Sequence, residues 1–80
     1  MRRIVVRAPA CRADIITYLK RVFGIHAEEL QPGEQVVFVF DAERFPIADA
    51  IFKSLMAAAG LRMIGVRAEA GTRIVAAEKG

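Results

Sequence analysis

One run constrains this chain more than any other: Gln35-Val36-Val37-Phe38-Val39-Phe40-Asp41. An extended strand sends alternate side chains to opposite faces. Val36, Phe38 and Phe40 therefore share one face, and Val37 and Val39 share the other. Both faces are apolar, and a strand apolar on both sides must be covered on both sides. The chain has 80 residues, which predicts one small domain over residues 1–80. Its helical segments suffice for one side of a sheet, so the other side is expected to meet a partner.

A domain this small buries only about 60% of the surface its unfolded chain exposes. Here 55% of the residues are hydrophobic, which offsets that handicap. Charge interrupts every apolar stretch well before the ~18 residues a membrane helix needs. Met1-Arg2-Arg3 imitates the start of a signal peptide, but Arg7 ends the apolar run after Ile4-Val5-Val6. A cytoplasmic location is expected. The single cysteine, Cys11, excludes an internal disulfide framework and fits a reducing compartment. A net charge of +3 suits nucleic-acid or acidic-protein partners without requiring them.

Periodicity predicts the elements. Arg3 to Ala8 alternates as a strand. Pro9 stops it and suits the first turn of a helix. That helix is predicted from about Ala10 to Phe23, with Cys11, Ile15, Leu19, Val22 and Phe23 as its apolar stripe and Gly24 as its stop. Ile25 to Leu30 reads as a weak second strand. Pro32-Gly33 makes a turn into the strong strand Gln35–Asp41. Asp41 is placed to cap a second helix between about Ala42 and Ala59, most secure from Pro46 onward, which Gly60 ends. Arg62–Ala68 and Thr72–Ala77 are strands joined by a tight turn at Glu69-Ala70-Gly71.

This order predicts an α+β fold, a ferredoxin-like β-α-β-β-α-β two-layer sandwich with an extra C-terminal strand. Its sheet would be antiparallel, with both helices on one face. The first strand would be central. Ile4, Val6, Ile64 and Val66 would then face the helices, and Arg3, Val5, Arg7, Met63, Gly65 and Arg67 would face outward. The strong strand would add either Phe38 and Phe40 or Val37 and Val39 to that open face. An apolar centre rimmed by arginine has the composition of an interface core.

Aromatic residues on a strand of such a sheet invite comparison with the RNA-recognition motif. Its signature is a basic residue, Gly, an aromatic, Gly or Ala, Phe, Val, any residue and an aromatic. Phe38-Val39-Phe40-Asp41 supplies Phe-Val-x, but Asp41 stands where the last aromatic belongs and the basic-Gly start is missing. Membership does not follow. Arg7-Ala8-Pro9-Ala10-Cys11-Arg12 leads into a predicted helix N-terminus, where acylphosphatases bind an anion. It has no glycine to gather backbone N–H groups, and that reading is also set aside.

No catalytic constellation emerges. His26 is the only histidine, so no histidine triad or multi-histidine metal site can form within the chain. It reads as a polar residue at the edge of the sheet. Cys11 falls in an apolar stripe and reads as a packing residue. Glu28, Glu29 and Glu34 read as a solvated acidic edge. Glu43–Arg44 and Asp49–Lys53 read as helix-surface ion pairs of about 0.3–0.5 kcal/mol. No catalytic residue, cofactor or metal is expected.

The sequence thus predicts a non-enzymatic binding protein that docks on a larger protein or nucleoprotein complex. A small, motif-free basic domain suits a modulator or inhibitor of nucleic-acid machinery, of the kind phages and mobile elements encode, anti-CRISPR proteins among them. The expected contact residues are Arg3, Val5, Arg7, Phe38, Phe40, Met63, Arg67 and Arg73. One alternative is direct nucleic-acid binding through the arginine-rimmed face. Another is a homodimeric small-molecule sensor closed sheet to sheet. No membrane partner is expected.

Overall fold

The computed structural model of the chain describes residues 2–8 and 14–80. The elements run β1 (Arg2–Val6), α1 (Ile15–Glu29), β2 (Gln35–Asp41), α2 (Asp49–Ala58), β3 (Leu61–Glu69) and β4 (Thr72–Lys79). This is a small α+β fold with two helices and one four-stranded mixed sheet. The strand order is β1-β2-β4-β3. β1 and β2 are parallel, and the other two pairs are antiparallel.

The expected antiparallel β-α-β-β-α-β order is therefore corrected to β-α-β-α-β-β. The difference begins at Gly24, which does not stop α1. Leu19, Phe23 and Ala27 form a buried row at four-residue spacing, and Leu30 continues it beyond the last turn. That packing carries the helix through a glycine that costs only about 1 kcal/mol against alanine. Ile25–Leu30 is thus mostly helix, and His26 lies in its last turn. At the other end the Asp14 carboxylate caps the helix by accepting from the Ile16 N–H at 3.0 Å and from the Thr17 hydroxyl at 3.0 Å. The expected roles of Pro9 and Cys11 fall outside the described residues.

The second helix starts only at Asp49. Pro46 disfavours a helical conformation at Phe45, and Asp41 caps a turn instead. Its carboxylate accepts from the Glu43 N–H at 2.9 Å, and its carbonyl accepts from the Phe45 N–H at 3.0 Å. Phe45 then buries its ring completely. Gly60, at φ +83°, ends α2.

The strand expected as a C-terminal addition is central. β4 lies between β2 and β3, and Val75 and Ala77 are fully buried beneath the helices. β1 is an edge strand, not the centre. β2 and β4 are thus hydrogen-bonded along both edges, and the helices cover only one of their two faces.

Both helices cover the face that carries Val36, Phe38 and Phe40. Phe23 of α1 meets Phe38 edge-on at 5.1 Å, and Phe52 of α2 lies 4.8 Å from Phe40. Burying such rings contributes roughly 1.5–3 kcal/mol each. A one-residue register slip would send both phenyls of β2 into solvent and is excluded on that scale.

Candidate docking face

The face turned away from the helices is a grid whose rows are set by strand register. Val5, Val39, Ile74 and Arg67 form one cross-strand row. Arg3, Val37, Ala76 and Gly65 form the next. Asp41, Thr72 and Glu69 form a polar row beyond the first. Arg7 lies just beyond the end of β1 and is exposed. Val5 is 65% exposed, while its neighbour Val39 is only 9% exposed. The centre is thus a low apolar strip with one protruding valine. Arg3, Gly65, Arg67, Ile74 and Ala76 line a shallow depression of about 370 Å³ on it.

The rim charges differ in their freedom. Arg67 pairs with Glu69 at 2.6 Å, and Arg62 pairs with Glu78 at 3.1 Å. Among the described residues, no carboxylate lies within ion-pair distance of Arg3 or Arg7. Their guanidinium forks are available to carboxylate or phosphate oxygens of another molecule.

Of the expected contact residues, Arg3, Val5 and Arg67 come together on this face, and Arg7 stands at its margin beyond the end of β1. Four do not. Phe38 and Phe40 are fully buried among the helices, and Val37 and Val39 take the open side. Met63 packs against the core because a β-bulge between Met63 and Gly65 shifts the alternation in β3 by one residue. Val66 remains on the helix side as expected, opposite Val75.

Arg73 is the fourth. It lies beneath the helices, with its side chain only 14% exposed. Its guanidinium donates to the Phe45 carbonyl at 3.3 Å, to the Ile47 carbonyl and to the Asp49 carboxylate, and it sits 4.5 Å from the centre of the Phe52 ring. Arg73 is a clamp on the loop before α2. The helix spacing predicts an Asp49–Lys53 pair; Asp49 instead pairs with Arg73.

Sequence reasoning missed Ile74 and Ala76 as face residues. Their alternation with Val75 and Ala77 carries the signal, which becomes decisive only once β4 is central. His26 packs on Phe38 at 6.0 Å, with Glu29 3.7 Å from its Nδ1. Glu29 also approaches Arg2 at 3.5 Å. Among the described residues, no helix is long and apolar enough to cross a membrane.

No family model matches the chain, and no curated protein matches it by sequence. Solved structures do match its fold. The antibiotic-resistance methyltransferase Kmr aligns at a TM-score of 0.64 and 17% identity, over 96% of this chain and 50% of Kmr. A second Kmr structure aligns at 0.63 and 18% identity, over 96% and 49%. HP1264 from Helicobacter pylori, solved in solution, aligns at 0.62 and 18% identity, over 99% of this chain and 97% of HP1264. This chain spans about half the length of Kmr and nearly all of HP1264. Identities this low speak for the fold alone.

Proposed function

We propose that this chain is a non-enzymatic binding module that docks its open sheet face on a larger protein, as a modulator of nucleic-acid machinery would. The observation that carries the reading is Val5, 65% exposed in an apolar strip between Arg3 and Arg7, which lack carboxylate partners among the described residues. Interface cores combine apolar centres with arginine.

The test compares the native chain with the triple variant Arg3→Ala, Arg7→Ala, Arg67→Ala as baits, with and without nuclease. Truncating a central interface arginine often costs about 2 kcal/mol or more, so the variant should lose its protein partner at least about tenfold. Its melting temperature should barely move, because exposed changes stay within about 0.5 kcal/mol. Capture that survives nuclease but not the triple variant supports protein docking. Undiminished capture by the variant overturns it. Loss on nuclease treatment, with steep salt dependence on bare DNA or RNA, replaces protein docking with the nucleic-acid reading. A sheet-to-sheet homodimer would double the mass in light scattering.

A further inference from the structure

At the carboxyl end of β1 and β2 the sheet has a notch of about 500 Å³. It arises because the chain leaves the sheet after Asp41 while the β3–β4 turn continues past it. Arg7 and Arg44 both line the notch, with Asp41 and Thr72 as further polar groups and Val5 and Val39 as apolar wall. We propose that this notch is a small-molecule site for an oxyanion, a phosphate or carboxylate group held between Arg7 and Arg44.

Three observations carry the proposal. First, among the described residues neither guanidinium has a carboxylate within ion-pair distance. Among the described residues that line the notch, Asp41 alone is acidic against the two forks, and arginine forks match both oxyanions bidentately. Second, the two arginines stand on backbone held from the core side. The Tyr18 hydroxyl donates to the Arg7 carbonyl at 2.6 Å. Arg44 precedes the fully buried Phe45, whose ring lies 5.3 Å from Phe40 and 6.4 Å from Tyr18 and whose carbonyl accepts from Arg73. Such anchoring lowers the ordering cost of binding. Third, the volume falls in the range of roughly 300–1,000 Å³ typical of small-molecule sites. It exceeds a bare anion and leaves room for an organic body against Val5 and Val39.

This inference does not rest on the docking reading, and Arg44 separates the two because it lies off the sheet face. The experiment titrates the isotope-labelled chain by NMR with phenyl phosphate and, separately, benzoate, at constant ionic strength with sodium chloride as control. Saturable amide shifts are expected at residues 5–8, 41–45 and 70–72. Arg44→Ala should raise the dissociation constant at least about tenfold, the loss of a charge-assisted contact. Arg3→Ala should leave it within about twofold, since Arg3 lies outside the notch. Tighter binding of phenyl phosphate identifies a phosphoryl ligand, and tighter binding of benzoate a carboxylate. Shifts that chloride reproduces, no saturation with either probe, or unchanged binding by Arg44→Ala would overturn the proposal. Loss in Arg3→Ala but not in Arg44→Ala would move the anion to the sheet face and likewise overturn it.

Discussion

Arg73 and Arg67 lie on the same hairpin, and the fold gives them opposite duties. Arg73→Met keeps the aliphatic stem that packs beneath α2 and deletes only the guanidinium. Four interactions then go: donations to the Phe45 and Ile47 carbonyls and the Asp49 carboxylate, and the position over the Phe52 ring. Hydrogen bonds to a charged donor contribute about 1.5–3 kcal/mol each. The contact to Phe45 is long, so one full bond is the fair count for the two carbonyls. Asp49 is 60% exposed, which holds that pair to about 0–1 kcal/mol. The ring contact adds roughly 0.5–2 kcal/mol. These terms share one side chain and overlap, giving a loss of about 2–4 kcal/mol. Against a total near 4–12 kcal/mol for a chain of this length, the melting temperature should fall roughly 10–30 °C. Arg67→Met removes one exposed ion pair and should change stability by no more than about 0.5 kcal/mol. Circular dichroism through thermal and urea unfolding reads both. Arg73→Lys should recover only part of the loss, because an ammonium cannot reproduce the planar fork. Equal midpoints for the Arg73 and Arg67 variants would refute the clamp.

Three further changes probe the local readings. Gly24→Ala should stabilise the protein by about 0.5–1 kcal/mol in urea unfolding, since a Cβ there meets nothing within 4 Å and φ is not positive; destabilisation would show that Gly24 ends the helix after all. Ala70 sits at φ +44° beside Gly71 at φ +80° in the β3–β4 turn. Ala70→Gly should therefore relieve about 1 kcal/mol of left-handed strain, and a lower melting temperature would count against that turn geometry. The Lys79 ammonium donates to the Ala27 carbonyl at 2.7 Å, at the end of α1. Lys79→Met should lose about 1 kcal/mol, with hydrogen exchange accelerating in the last turn of α1 and not in α2; uniform acceleration would deny the cap.

The sequence was legible wherever one residue's alternation settled its own face, and illegible wherever a neighbour in space decided. Alternation suffices for Arg3 and Val5, because β1 is regular and its inner residues Ile4 and Val6 are the more buried set. Gly24 misled because a glycine after a cationic turn looks like a helix stop. Only the row Leu19, Phe23, Ala27, Leu30, continued against the sheet, shows that packing outweighs the glycine's propensity. That one misjudged residue made a strand of Ile25–Leu30, and the spurious strand pushed β4 to the periphery, with Ile74 and Ala76 lost from the face. Met63 failed for a different reason. A bulge adds a residue to one strand of a pair, and no intrastrand pattern reveals it when Met63, Ile64 and Val66 are all apolar. Phe38 and Phe40 were undecided between faces because β2 is apolar on both. The decision came from volume: the space between sheet and helices holds Phe23, Phe45 and Phe52, and rings on β2 fill it where valines would leave voids. The open face is therefore left with the small apolar residues, and the arginines that flank them give it what specificity it has.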